Sequence, residues 1–239
     1  MNKLVLKNDF KLYELFVGLT VTIMITCDTL VYKTFDFYSV KITASGIIFS
    51  LCYLLSAITT EVYGYKLGTR IVWIIVLCQS LFVILVNICS IYQTDNNHIS
   101  ETYQSLFGEF WRVMLGTWVS VPASYFCSGY IISRLKIYFK GRLFLIRYML
   151  SAMIAQGVLL ITAYPISLSS KYSFLKLINI ISTTWSYKVI MSTILLPVGI
   201  ILAKEVKNIE NIDTFDYNIS YNPFKVFKQN SKNENNTTD

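Results

Sequence analysis

The sequence predicts an all-α polytopic membrane protein with six transmembrane helices and both termini cytoplasmic. Three observations predict it. Hydrophobic residues make up 54% of the 239-residue chain and charged residues only 15%, with a mean hydropathy of +0.51. Soluble domains average about 25% charged residues. The apolar residues fall in runs of about 20, the length that crosses a bilayer core. The basic residues collect in alternate gaps between those runs, as the positive-inside rule requires. A net charge of +7 on its own would suggest nucleic acid. Its confinement to short gaps argues for the lipid bilayer as partner and against nucleic acid.

Residues 1–13 read as a short cytoplasmic tail carrying Lys3, Lys7 and Lys11. Glu14–Tyr32 reads as a first helix. It is too long for a signal-peptide core, and no small-residue cleavage site follows it before Lys33. Lys33–Lys41 reads as a short loop and Ile42–Thr60 as the second helix. Glu61–Arg70 reads as a tight charged hairpin, and Ile71–Tyr92 as the third and most apolar helix. Residues 93–111 are polar, acidic and without a basic residue, which suits the outer face.

Val113–Ser133 is the fourth expected helix, with Pro122 at its middle. Arg134–Arg147 is the most basic gap. Tyr148–Leu168 is the fifth helix, a short loop follows over Ser169–Lys176, and Leu177–Ala203 is the sixth helix. The segments 14–203 thus form one transmembrane domain. Residues 204–239 form a cytoplasmic polar tail ending in SKNENNTTD, too polar to bury a core and expected to be disordered at its end. The gaps assigned to the cytoplasm hold 15 of the 21 Lys and Arg residues.

Lys188 is the most informative single residue. A lysine at a helix centre costs about 2.5–3.5 kcal/mol on insertion scales. Such a charge faces a polar interior and finds an acid, a carbonyl or a ligand there. Asp28, about one turn inside the outer end of the first helix, is the expected counter-charge; the alternative is a purely structural ion pair between the two. Gln79, Asn87 and Gln156 are polar groups inside apolar runs, suited either to helix–helix hydrogen bonding or to a ligand. Trp118, Tyr125, Trp185 and Tyr187 lie deep enough to stack a flat heterocycle, or to pack as core. Pro122 and Pro197 free the carbonyls of Trp118 and Thr193. Glu61 reads as a helix-end residue in a charged turn.

The five cysteines, Cys27, Cys52, Cys78, Cys89 and Cys127, all lie in apolar runs without metal-ligand spacing, and the only histidine is His98. They read as small buried thiols, so neither a metal nor a cofactor is expected. No P-loop, Ser-His-acid or H-E-x-x-H pattern occurs, and no catalytic residue is assigned.

At Phe49–Lys66, FSLCYLLSAITTEVYGYK, the chain resembles the vitamin-uptake-transporter family, also called the queuosine-precursor transporter family. Phe49, Tyr53, Leu54, Glu61, Tyr63 and Gly64 carry the match. Arg112 opening the fourth helix, Arg147 with Ser151 and Gln156 in the fifth, and Tyr187–Lys188 with Pro197 in the sixth agree in order. Asp213–Phe224, DTFDYNISYNPF, resembles the family's tail signature. The departures are Ser50 for the usual Pro, and Ala57, Ser128 and Leu159 where acids are usual, while Asp28 replaces an Asn.

The resemblance implies a transporter in the bacterial inner membrane, not an enzyme. It would import a queuosine precursor, a deazaguanine or queuine-like heterocycle. Lys188, Asp28, Gln156, Asn87, Trp185 and Tyr125 are the candidate substrate-binding residues. Glu61, Arg112, Arg147 and Pro122 are the candidate structural or gating residues. The alternative is a substrate-capturing membrane subunit of an ATP-driven vitamin uptake system, with a separate ATPase as motor. A lipid-acting enzyme and an assembly protein are disfavoured, the first for want of a catalytic set and the second because it would not need Lys188. Oligomeric state and coupling ion are left open.

Overall fold

The computed structural model describes residues 10–30, 33–37, 40–91, 97–108, 110–168 and 173–225. The bundle is built from α1 (Tyr13–Thr29), α2 (Ala44–Tyr63), α3 (Tyr65–Ile91), α4 (Asn97–Phe107), α5 (Phe110–Tyr138), α6 (Phe144–Leu168) and α7 (Phe174–Glu210). Each of the six expected helices is present, as α1, α2, α3, α5, α6 and α7. By length and composition, α2, α3, α6 and α7 are apolar and long enough to cross a membrane. α1 has only 17 residues, and α5 is diluted by serine and glycine.

α2 is the axis of the bundle. Within its span 72% of residues are buried, against 28% for α3 and for α7. The reason is visible in its composition. It carries no charge before Glu61 and offers small residues, Ala44, Gly46, Ser50, Ser56 and Ala57, to its neighbours. α1, α3, α5 and α7 all pack on it. Gly199 of α7 shows how close the approach is, since a Cβ there would sit 2.3 Å from Leu54 Cδ1.

The bundle is all-helical, and one loop beside it carries a short ribbon. After α1, β1 (Thr34–Phe37) runs antiparallel to β2 (Val40–Thr43), with Thr34 opposite Thr43. Three expectations are corrected. The polar segment 93–111 contains a helix, α4, whose Ile99, Tyr103 and Leu106 recur at helical spacing and are exposed.

The Glu61–Arg70 hairpin is helical on both sides of one residue, Gly64. Its φ of +85° is a conformation that glycine adopts without strain. Finally, α7 runs through Lys204 to Glu210, and residues 211–225 return to pack on the bundle. The boundary expected at Lys204 therefore lies inside a helix. The segment SKNENNTTD lies outside the described residues.

Candidate functional site

Two polar regions interrupt the apolar bundle. They lie about 28 Å apart along α7 at about 1.5 Å per residue.

The first region is the end of the bundle where α2 meets α3. Glu61 is 1% exposed, and its carboxylate is shared by cations from three helices. Arg147 of α6, fully buried, donates through both terminal nitrogens. Lys207 of α7 donates at 2.6 Å, and Lys136 of α5 lies at 3.7 Å. Lys136 also donates to the Glu61 carbonyl and to Asp213 Oδ1 at 2.5 Å. Lys207 reaches the same Asp213 oxygen at 2.9 Å. Arg147 also donates to the carbonyls of Gly141 and Arg142.

Burial pushes the Asp213 carboxyl upward. The hydrogen bonds and charges of Lys136 and Lys207 outweigh that, so it titrates below its ordinary value of 3.8. Each of these charges has a partner of opposite sign. The expectation of Glu61 as a helix-end residue in a charged turn is corrected: the carboxylate is buried, because three other helices converge on it. Arg147 is its closest counter-charge.

The second region is centred on Lys188 of α7. It is 6% exposed, and its ammonium lies 4.6 Å from the centre of the Phe49 ring. A cation over a ring face gains about 0.5–2 kcal/mol, which does not replace a counter-ion. No carboxylate among the described residues pairs with it. The expected Asp28–Lys188 ion pair is not formed. Asp28 instead accepts a hydrogen bond of 2.7 Å from Gln79 Nε2 of α3. The depths of the two residues are compatible with pairing, but Asp28 turns to α3 rather than α7. Cys27 and Cys52 are polar neighbours of Lys188, and Cys52 also borders Asp28 and Tyr125.

Behind Phe49 stand Tyr53 and Tyr125, stacked at 5.0 Å with 19° between their planes. Phe49 meets both edge-on. Tyr53 donates to the Ala155 carbonyl at 3.3 Å and Tyr125 to Met24 Sδ at 3.7 Å. One turn from Lys188 on α7, Ser192 accepts a 2.6 Å hydrogen bond from Gln156 Nε2 of α6. The carbonyl oxygens of the two amides, Gln156 Oε1 and Gln79 Oε1, are buried without a hydrogen-bond partner. Such an orphan costs about 1–3 kcal/mol. The region thus holds a cation donor with no acid among the described residues, the idle acceptor of Gln156 and an aromatic wall. The second idle acceptor, Gln79 Oε1, belongs to the amide that holds Asp28.

The structure brings Lys188, Tyr125 and Gln156 together, with Asp28 at the margin. Phe49, Tyr53 and Ser192 belong with them, and Gln79 stands with Asp28. The first two stand in the family motif, and Gln79 is equally suited by its sequence to helix–helix bonding. Asn87 is not part of the cluster; it donates back to Val83 O on its own helix. Trp185 donates to Met153 O at 2.9 Å and faces Gly157. Trp118 is 52% exposed and bonds Ser80, so it stacks nothing in the site. Tyr187 bonds Thr43 Oγ1 at 2.9 Å. Arg112 lies over Trp111 at 5.3 Å, at the start of α5, and Pro122 sits within α5 without ending it.

At the positions where the resemblance implies acids, Ala57 and Leu159 are buried apolar residues and Ser128 bonds Ser151 at 2.7 Å. Lys188 is closed off from the surface. Two open grooves lie on the flanks of the bundle instead. One of about 610 Å³ is bounded by Thr29, Phe82, Val86, Ile99 and Tyr103, and another of about 460 Å³ by Ile161, Leu177 and Trp185. Neither touches Lys188.

Four helices long and apolar enough to cross a membrane, around a buried cation without an acid among the described residues, are the build of a multi-pass membrane protein. The profile of the family described as "Putative vitamin uptake transporter" matches residues 43–202, more than half of the chain. The chain belongs to that family of transporters. No curated protein and no solved structure matches it.

Proposed function

We propose that the protein imports a queuosine precursor, a deazaguanine or queuine-like heterocycle, across the bacterial inner membrane. In this reading α1, α2, α3, α5, α6 and α7 span the bilayer and both termini are cytoplasmic. The observation that carries it is the set of unmet valences around Lys188. A lysine is placed at membrane depth at a cost, and no acid among the described residues offsets it. Two buried glutamine oxygens stand idle, Gln156 Oε1 on α6, which packs on α7, and Gln79 Oε1 on α3, whose amide nitrogen holds Asp28.

A fused pyrimidinone-type ring meets all three needs at once. Its N–H groups donate to Gln79 Oε1 and Gln156 Oε1, its carbonyl accepts from Lys188, and its face lies on the Phe49–Tyr53–Tyr125 wall. Stacked or edge-on aromatic pairs add about 0.5–1.5 kcal/mol beyond their area. Asp28 lies on the side of the site nearest the outer end of α1 and orients Gln79.

The test is uptake of labelled deazaguanines into cells that cannot make them. The parental protein should restore uptake and Lys188→Met should abolish it, with both present in the membrane at equal amounts. Equal uptake by the two would remove Lys188 from the site. No uptake by the parental protein would remove the substrate class.

A further inference from the structure

α2 and α3 meet at a single non-helical residue, Gly64. One glycine between two long helices is a hinge, free to change the angle between them unless something holds it. Here something does. The returning segment 211–225 bonds the chain on both sides of Gly64. The amide of Thr214 donates to Val62 O at 3.2 Å, on the α2 side. Asp216 accepts from the Tyr65 amide at 2.9 Å, on the α3 side, and from Ser133 Oγ of α5 at 2.6 Å. The segment fits the hinge closely, because a Cβ on Gly64 would meet Asp216 Oδ1 at 2.8 Å.

The segment reaches further than the hinge. Tyr65 donates to Tyr221 O at 3.1 Å and Trp73 to Pro223 O at 2.9 Å, which ties the first turns of α3. The guanidinium of Arg134 on α5 lies 5.8 Å from the centre of the Tyr221 ring. Asp213 bridges Lys136 of α5 and Lys207 of α7. While the segment is docked, the ends of α2, α3, α5 and α7 are held in one arrangement.

The strength of these ties is graded. The Glu61–Arg147 pair is dry, with both side chains at most 1% exposed. Asp213 is 45% exposed, so water competes for its bonds and weakens them. Tyr217 and Phe224 lie largely in the open. Asp216 is the exception, 9% exposed with buried bonds to Tyr65 and Ser133. A segment held by one dry anchor between wet flanks is drawn from the low-stability end of a structure. It can leave while the dry pair persists.

We propose that residues 211–225 form a detachable latch that fixes the Gly64 hinge, and that releasing it opens the bundle end below Lys188 to the cytoplasm. The proposal rests on the transport reading but not on the identity of the substrate. It assigns Asp213 and Asp216 as positioning residues that act through the hinge and touch no substrate.

Ala203 is the reporter. It is 5% exposed, in one cluster with Val62 and Val206, and one turn from Lys207 on the membrane side. The probe is a membrane-impermeant thiol reagent added to inside-out vesicles, with labelling read at the Ala203→Cys peptide by mass spectrometry. Val83→Cys, 2% exposed on α3 far from the latch, reports general loosening. Asp213→Asn with Asp216→Asn should raise the labelling rate at position 203 by roughly tenfold or more, as a shift toward an open population requires. Position 83 should not change. An unchanged rate at position 203, or an equal rise at both positions, would overturn the proposal. Neither outcome depends on any substrate, so a failed uptake assay and a failed latch are told apart.

Discussion

The two polar regions of this bundle are built on opposite terms. Around Glu61, charges of both signs are brought together and matched, with Arg147, Lys136 and Lys207 on one carboxylate and Asp213 closing the set. Around Lys188, one charge is buried and no acid among the described residues answers it, while the amide oxygens of Gln156 and Gln79 stand idle. A matched cluster holds helices together. An unmatched one weakens the fold and persists where a ligand completes it. The same residue types therefore hold helices together in one place and, in the proposed reading, bind a ligand in the other, and the number of partners separates them.

The largest expected effect breaks the matched side. Glu61→Ala strands Arg147, which is fully buried and has Glu61 as its counter-charge. Breaking a buried pair from one side costs about 3–5 kcal/mol. Thermal unfolding in detergent should show a large fall or no folded protein. Lys188→Met should behave in the opposite way, since it removes an unmatched cation and keeps the chain length; its unfolding temperature should be equal to or above the parental one. A fall for Lys188→Met comparable to that for Glu61→Ala would erase the distinction between the two regions.

The next effect sharpens the unmatched side. Gln156→Leu removes one idle acceptor together with the bond to Ser192. Losing a hydrogen bond to a bound ligand costs about 1–1.5 kcal/mol, so half-saturation of uptake should rise roughly tenfold with little change in stability. Asn87→Leu is the contrast. Asn87 bonds back to its own helix, and uptake should stay within about twofold of parental, as for a substitution away from any special feature.

The smallest effect is a pH dependence at the latch. The Asp213 carboxyl titrates below its ordinary 3.8 in the folded protein. Its contribution is therefore fully present above that value and is lost only as pH falls through the lower folded value. Hydrogen exchange at the Thr214 amide should be flat, after correction for intrinsic rates, across the neutral range and should speed up only in acid below 3.8. Loss of protection near neutral pH would show that Asp213 does not hold the segment.

The helices are legible in the sequence because each needs a run of apolar residues, and the runs are unambiguous. Lys188 is legible because its cost is local and can be read from its neighbours. The rest depends on direction and distance. Asp28 and Lys188 stand at compatible depths, but the rotation of α1 that gives Asp28 to Gln79 is set by packing on α2 and α3. Glu61, Lys66 and Arg70 look like a solvated turn, because the residues that neutralise Glu61 lie on α5, α6 and α7. The tail looks too polar to dock. Its acids find lysines and a helix N-terminus that composition does not reveal. The spacing of apolar residues in α4 is present in the sequence, and its 11 residues are short enough to pass for a loop.

The central claim is that the unmatched groups around Lys188 are the protein's half of a bond network that a ligand completes. The most direct measurement is the thermal shift of purified protein on adding a deazaguanine base. A ligand that binds only the folded state at about 100 times its dissociation constant stabilises by about 2.7 kcal/mol. The parental protein should show a clear upward shift, and Lys188→Met, starting from an equal or higher unfolding temperature, should show none. An equal shift in both would place the ligand elsewhere and leave Lys188 without the role assigned to it.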